Sequence, residues 1–366
     1  MKNKHIGIGL VVIVVVVGLL IVFVGGILAH KPSPGLRVGV VLPLTGNFAA
    51  LGEHAKNGYE MARANLSSVN VVYEDACQPK DAVSALNKMI QEDKITVMGG
   101  SFCVVGFVPM LPILDQNKII GFNLAPNPDS TLGHQYFIST NSSIKLKAGE
   151  LGKFAANTLK AKTAAIIYYN TPLGEDYRKY FQESYEQNGG KVISSQVTLV
   201  DATDFRTELT KVKALNPDLI FVVQLSKPLA NLLTESRDLG ISAKLLGNSQ
   251  NEDQTIIDAA GKAALGFLIS SDEPMPKTAV VEDFNARYFA KYGQQPDVFA
   301  RNAYDSLTLQ AQAYAKCGAN SDCMLEYLHS VKDFQGVSGT ITIQADGTAY
   351  KPTTFKVVND GKFVQY

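Results

Sequence analysis

The stretch from Leu36 to Gly52, LRVGVVLPLTGNFAALG, decides the fold of this 366-residue chain. Its apolar run from Val38 to Leu42 is too short for a helix and is ended by Pro43, which predicts a buried β-strand. A turn containing Gly46 follows, and a helix begins shortly after it. Turns at the carboxyl ends of parallel strands are where open α/β sheets bind ligands, because backbone N–H groups of the next helix point into the crevice. The stretch therefore predicts an α/β ligand-binding lobe.

An uncharged segment precedes this lobe. The 24 residues from Ile6 to Ala29 carry no charge and follow Lys2 and Lys4. As a helix they would span about 36 Å, enough for the ~30 Å hydrocarbon core of a bilayer. We interpret residues 1–29 as a transmembrane anchor with its cationic end inside, and residues 30–35 as a linker to the folded part. The alternative is a signal cleaved after Ala29, which would release a secreted protein. Both interpretations predict an extracytoplasmic location.

All four cysteines lie in the exported part of the chain. An even number of cysteines in an oxidising compartment predicts two disulfides. Cys77 and Cys103 follow neighbouring predicted strands, whose ends can bring them together, and Cys317 with Cys323 would close a short loop between two helices. Free buried thiols are the alternative. A zinc site is disfavoured because the sequence has no CxxC spacing and no histidine near a cysteine pair.

The composition excludes several classes of protein. The chain has 34 basic and 34 acidic side chains and a formal net charge of zero, so nucleic acid is not an expected partner. It has no low-complexity tract and no heptad repeat. The roughly 330 residues outside the N-terminal segment exceed one ordinary hydrophobic core, which predicts two lobes.

Short β-branched runs alternate with amphipathic helices along the whole chain. The first series has predicted strands at 38–42, 69–73, 95–98 and 119–122, with helices at 50–64, 81–91 and 105–115. A second series begins after residues 136–140, with predicted strands at 164–168, 192–198, 219–223, 244–246 and 267–270. The β-α-β order predicts an α/β fold class with two doubly wound parallel-sheet lobes.

Four collinear features resemble one known family. The first is PLTGxxAxxG, present as Pro43, Leu44, Thr45, Gly46, Ala49 and Gly52; the others are the Cys77 and Cys103 positions and the segments at 204–223 and 284–307. Together they resemble the leucine/isoleucine/valine-binding family of ABC-transporter substrate-binding proteins, over nearly all of residues 36–366. In that family a cysteine pair occupies the same two loops, which favours pairing of Cys77 with Cys103.

The resemblance implies the fold of a type I periplasmic binding protein, with three crossovers between two lobes. We place the crossovers near Thr140, Ser271 and Val337. The expected division gives residues 36–140 and 272–336 to lobe 1, and residues 141–271 and 337–366 to lobe 2.

The resemblance also implies a function, which is hinge closure around a small ligand followed by docking on a membrane permease. The expected ligand is amino-acid-like, an amide or an organic acid, and the expected partners are that ligand and ABC permease subunits. We expect a monomer with no cofactor and no metal. The alternative is a ligand-sensing or regulatory receptor of the same fold that has no transport role.

The candidate pocket departs from the family pattern. In the amino-acid binders, hydroxyl groups after the third strand and in the loop after the fourth strand hold the α-carboxylate and α-ammonium. Here Val104 and Val105 occupy the first place, and Ala125 and Asn127 lie in the second. Each hydrogen bond to a charged group contributes about 1.5–3 kcal/mol, so losing two weakens zwitterion binding by roughly two to four decades in Kd.

Other candidate pocket positions also differ from the family pattern, and the differences favour a less polar ligand or one held through backbone groups. Leu51 and Leu173 stand where aromatic residues are common, Ser226 occupies a second-lobe position that is often aromatic, and Asn248 or Ser249 lies where an acid meets the ammonium. Tyr304 is a further candidate, because its helix is expected to begin at the lobe junction.

No constellation in the sequence indicates an enzyme, and no catalytic residue is predicted. The histidines lie on separate elements, and no GxSxG, HExxH, Walker or post-strand GxGxxG motif occurs. Glu74 and Asp75 follow a predicted strand and are expected to cap the turn near Cys77.

Overall fold

A computed structural model of the chain describes residues 35–66, 68–272 and 278–366. The predicted membrane segment at residues 1–29, and the linker as far as residue 34, lie outside these ranges. Within the described ranges, none of the helices combines the length and the apolar character that a bilayer crossing requires.

The N-terminal part forms a five-stranded sheet whose strand pairings are all parallel. Its strand order is β2-β1-β3-β4-β5. Side chains of β1 alternate between two cores, since Val40 packs on one face of the sheet and Val41 on the other. The strands are β1 Leu36–Leu42, β2 Val69–Asp75, β3 Val97–Ser101, β4 Ile120–Asn123 and β5 Phe137–Ser139, connected by the helices α1 Ala49–Arg63, α2 Pro79–Lys88, α3 Val104–Phe107 and α4 Leu111–Asn117.

The second sheet has seven strands in the order β15-β14-β10-β9-β8-β6-β7. Five of them are parallel neighbours, and β14 and β15 add an antiparallel edge. Both faces of this sheet carry a buried core. Its elements are α5 Ile144–Lys153, β6 Thr163–Tyr169, α6 Pro172–Gln187, β7 Lys191–Thr198, α7 Arg206–Leu215, β8 Leu219–Val223, α8 Ser226–Asp238, β9 Lys244–Gly247, α9 Gln254–Ala260, β10 Leu268–Asp272, β14 Thr353–Asn359 and β15 Lys362–Gln365.

The chain returns to the first sheet between β10 and β14. Ser306 and Gln310 of α11 donate hydrogen bonds to the carbonyl of Gly99 in β3, so this helix covers the first sheet. The returning elements are α10 Ala279–Tyr292, α11 Val298–Cys317, α12 Ser321–His329, and a small antiparallel sheet of β11 Phe334–Gly336, β12 Gly339–Ile343 and β13 Ala349–Tyr350.

The small sheet changes one detail of the expected division. Ile341, Ile343 and Ala349 pack in the core of the first sheet, whereas residues 339–343 were assigned to lobe 2 from the sequence. The strands that join the second sheet after this point are β14, which pairs with β10, and β15, which pairs with β14. We therefore propose that the third crossover lies at Lys351 and Pro352 rather than near Val337.

Candidate ligand-binding site

The loop after β1 has a shape that only small residues permit. Gly46 has a φ of 77°, in the left-handed region that favours glycine. A Cβ atom on Gly52 would lie 1.9 Å from the carbonyl oxygen of Pro43. The two glycines of the PLTGxxAxxG motif therefore let α1 begin directly against the end of β1.

The carboxylate of Asp75, at the end of β2, holds this loop in place. It accepts hydrogen bonds from the Leu44 N–H at 2.7 Å and from the Thr45 hydroxyl at 2.6 Å. The Thr45 hydroxyl and the backbone N–H groups of Leu44 and Thr45 lower the pKa of Asp75, because they stabilise its charged form. Asp75 was expected to cap the turn near Cys77; the structure corrects this role, and Glu74 pairs with Lys88 at 2.6 Å.

Both predicted disulfides are confirmed, Cys77 with Cys103 and Cys317 with Cys323. The first bond links the loops after β2 and β3, directly before Val104, the first residue of α3. Val104 is partly exposed and Val105 is 47% exposed. The disulfide therefore fixes the start of α3 and leaves the apolar side chains of these two valines accessible at the carboxyl end of the sheet.

The loop after β4 is tied down by a buried network of amides. Asn123 donates to the side-chain oxygen of Asn127 at 2.7 Å, and Asn127 donates to Ser139 Oγ and to the Asn141 carbonyl, both at 2.9 Å. Asn127 is only 1% exposed, and Ala125 is likewise buried. The Asn127 amide thus shapes the loop next to the first crossover.

In the second sheet, three predicted site residues follow three adjacent strands. Leu173 comes after β6, Ser226 begins α8 after β8, and Ser249 comes after β9. Leu173 and Ser249 are partly exposed. The parallel register therefore brings these loops together at the carboxyl edge of the sheet.

Asn248 and Asn251 lock the loops after β8 and β9 to each other. Asn251 accepts from the Asn248 N–H at 3.1 Å and donates to the Gln224 carbonyl at 2.9 Å. The Asn248 side chain is buried and accepts from the Gln250 N–H at 2.9 Å. Its Nδ2 atom has no hydrogen-bond partner, backbone or side chain, among the residues that the structure describes. Asn248 mainly shapes the backbone that presents Ser249.

Leu51 and Tyr304 lie far apart. Leu51 is the third residue of α1 and is partly exposed near the loop after β1. The hydroxyl of Tyr304 accepts a hydrogen bond from Asn65 at 3.2 Å, beyond the other end of the same helix. At 1.5 Å per residue these two points are about 21 Å apart along α1. We therefore propose that Tyr304 lies outside the candidate cleft.

An aromatic pair at the same edge was missed by the sequence analysis. The rings of Phe102, directly after β3, and Phe299, at the start of α11, have centroids 4.6 Å apart, and both are partly buried. Phe48, in the loop after β1, is 40% exposed. The order GGSFCVV could have indicated Phe102, but nothing local connects it to a residue almost 200 positions later.

A pair formed by a histidine and an aspartate supports the start of α11. His54 Nδ1 lies 2.8 Å from Asp297 Oδ2, while Asp297 Oδ1 accepts from the Ala300 N–H at 2.8 Å. The hydrogen bond with Asp297 raises the pKa of His54. This pair therefore connects α1 to the helix that carries Phe299.

The candidate site is built from uncharged groups. Every predicted site residue is apolar, a hydroxyl or an amide. Among the described residues, no three histidine, cysteine, aspartate or glutamate side chains come together as metal ligands would. The loops can enclose a small molecule by apolar contact and by hydrogen bonds from backbone and uncharged side chains.

The profile of the periplasmic binding protein family matches residues 35–362. The chain is similar to the leucine-, isoleucine-, valine-, threonine- and alanine-binding protein of Pseudomonas aeruginosa, with 24% identity over 329 residues. The aligned region covers 85% of this chain and 86% of that protein.

Two solved structures have the same fold at low identity. The leucine binding protein LivK of Thermotoga maritima gives a TM-score of 0.83 at 22% identity, over 90% of this chain and 97% of that one. An ABC-transporter solute binding protein of Rhodopseudomonas palustris, in complex with 3,4-dihydroxybenzoic acid, gives a TM-score of 0.81 at 22% identity, over 91% of this chain and 96% of that one. The family match spans almost all of the residues after the N-terminal segment, and this chain belongs to the periplasmic binding protein family, among the relatives of the Leu/Ile/Val-binding proteins.

Proposed function

We propose that this chain is the extracytoplasmic substrate-binding protein of an ABC importer and binds a small molecule between its two lobes by hinge closure. The observation that carries the proposal is that Val104, Val105, Leu173 and Ser249 lie in loops after the carboxyl ends of parallel strands in two separate sheets. A ligand that contacts both edges favours the closed arrangement by its differential affinity for it. The family membership supports this role.

We further propose that the protein acts as a monomer without enzymatic activity and delivers its ligand to permease subunits. Residues 1–29 are proposed to keep it at the membrane. Mass spectrometry of the intact native protein tests that part, because a mature N-terminus at His30 would exclude the anchor.

The ligand is proposed to be less polar than a simple amino acid. Val104 and Val105 stand where the family resemblance implies hydroxyl groups, and the amides of Asn123 and Asn127 are engaged by other protein groups, since Asn123 donates to Asn127 and Asn127 donates to the Asn141 carbonyl. The Phe102 and Phe299 rings add an apolar surface on the same side. Burying apolar surface stabilises a complex by roughly 25 cal/mol per Å². Affinity should therefore increase with the apolar area of the ligand.

A thermal-shift screen tests whether the chain binds such a molecule. The panel should contain small polar amino acids, branched-chain amino acids, neutral amides and organic acids including benzoic acids. A ligand at 100 times its Kd adds about 2.7 kcal/mol to the free energy of unfolding. We expect a stabilising ligand with a substantial apolar body. Absence of any stabilising compound across these classes would contradict the proposal.

An uptake assay distinguishes the importer from the receptor alternative. Deleting the gene in its native host should reduce uptake of the labelled ligand identified above, and re-expression of the chain should restore it. Unchanged uptake, with retained binding by the purified protein, would favour a receptor whose closure is detected by another partner.

A further inference from the structure

A cluster of polar groups joins the two lobes on one side of the candidate cleft. The backbone N–H of Asp129, in the loop between β4 and β5, donates to Asp176 Oδ2 at 2.7 Å. Lys179 Nζ lies 3.3 Å from Asp129 Oδ2, and the Tyr180 hydroxyl donates to the same oxygen. Asp176, Lys179 and Tyr180 all belong to α6. One loop of the first lobe is therefore held by three side chains of one helix of the second lobe.

Each side of the cluster is fixed to its own lobe. Three residues after Asp129, Leu132 packs on the core of the first sheet, and the Thr131 hydroxyl bonds to the Pro128 carbonyl at 2.7 Å. Tyr180 is 8% exposed and its ring belongs to a core of the second sheet. The contacts consequently transmit the position of one lobe to the other, rather than merely tethering a loose loop.

The cluster lies beside the first crossover and beside the candidate site. Asn127, two residues before Asp129, forms a bridge with Ser143, which follows the crossover. Leu173, a predicted ligand contact, is three residues before Asp176 on the same helix. A small displacement next to a hinge becomes a large one at the distant rims of the lobes, because the lobes move as rigid bodies.

We propose that Asp129, Asp176, Lys179 and Tyr180 form a hinge brace that sets the angle between the lobes. Lys179 and Asp129 are each more than 40% exposed on their side chains, so their ion pair by itself would contribute little; Lys179 acts in the brace because its Nζ also donates to the Tyr180 hydroxyl at 3.1 Å and orients that hydroxyl towards Asp129. The brace also contains the Tyr180 hydroxyl and a backbone N–H bonded to a carboxylate, and such charge-assisted bonds are the stronger ones. Losing one should change the ratio of closed to open molecules several-fold.

A distance measurement between the lobes tests the brace. All four native cysteines are disulfide-bonded, so added cysteines can be labelled selectively. Spin labels at Glu53→Cys on α1 and Lys227→Cys on α8, both exposed, report the separation of the lobes by pulsed electron resonance. We expect a longer and broader distance distribution after Lys179→Met and after Tyr180→Phe, and no further change in the double variant.

The matched control is Lys153→Met, which removes a lysine that pairs with Glu150 at 2.8 Å within α5 of the second lobe. It should leave the distribution unchanged. Tyr180→Phe keeps the buried ring and removes only the hydroxyl, so this variant tests the brace if Lys179→Met perturbs folding. Distributions identical to the parent in both brace variants, or an equal shift in the control, would overturn the proposal. No ligand is added, so a negative result would leave the proposed function standing.

Discussion

Among the single residues of the candidate site, Val104 offers the most direct test of ligand recognition. It is the first residue of α3, is partly exposed, and follows the disulfide-bonded Cys103. We expect Val104→Ser to tighten binding of an α-amino acid such as leucine by about 10- to 100-fold, because one hydrogen bond to a charged group contributes roughly 1.5–3 kcal/mol. Calorimetry provides the measurement.

Two further substitutions serve as controls for Val104→Ser. Val280→Ser, at a 52% exposed valine of α10, should leave the affinity unchanged. Ala125→Ser, which seemed equivalent from the sequence, introduces a hydroxyl at a position only 3% exposed. We expect that variant to lose stability without gaining affinity. An unaltered leucine affinity in Val104→Ser would show that position 104 does not contact the ligand.

His54 gives a prediction that depends on pH. Asp297 raises its pKa, so the pair's contribution to stability is fully present below the ordinary histidine pKa of about 6.5 and is lost as the pH rises through the raised value. We expect His54→Gln to lower the free energy of unfolding by about 0.5–1 kcal/mol at pH 5.5 and by much less at pH 9. Urea unfolding at both pH values measures this, with His329→Gln as control. A loss that is larger at pH 9 would refute the assignment.

Among the elements, the start of α3 depends on the Cys77–Cys103 bond. The two disulfides enclose very different loops, with sequence separations of 26 and 6. Chain-entropy arguments give about 3.5 kcal/mol for the longer loop and about 2 kcal/mol for the shorter one. We expect the double Cys→Ser variant at 77 and 103 to be destabilised more than the one at 317 and 323. The opposite order in urea unfolding would contradict this view.

Most elements could be predicted because their signals are local. The apolar run at 38–42 falls within β1, and the strand predicted at 219–223 coincides with β8. The third strand was predicted at 95–98 but runs from Val97 to Ser101, since its last residues are glycines and a serine that give no β signal.

The details that could not be predicted depend on contacts distant in sequence. The pairing of Phe102 with Phe299, the engagement of Asn127 by Asn141, and the position of Tyr304 beside Asn65 are all set by tertiary packing. Hydrophobic pattern places a residue on a strand or helix but does not show which distant partner uses its polar atoms. The fold could therefore be predicted more fully from the sequence than the residues that line the candidate site.

In the whole molecule, a buried lysine stabilises the proposed third crossover. Lys351 is 3% exposed, and its ammonium donates to Asn302 Oδ1 and Ser338 Oγ, both at 2.8 Å. Because Lys351→Met would leave these buried acceptors without this donor, we expect a loss of about 1–3 kcal/mol in the free energy of unfolding. Lys332→Met, at an exposed lysine, is the control. Equal stability of the two variants would argue against a structural role for the buried ammonium.

The central claim is that the cleft binds a small ligand with more apolar surface than the simplest amino acids. Isothermal titration calorimetry of the unmodified protein with glycine, serine and the best ligand from the thermal-shift screen tests it most directly. We predict Kd values above millimolar for glycine and serine, because the side chains of Val104, Val105 and Ala125 offer no hydroxyl to their charged groups, and markedly tighter binding of the more apolar ligand. Micromolar binding of glycine or serine would contradict the account.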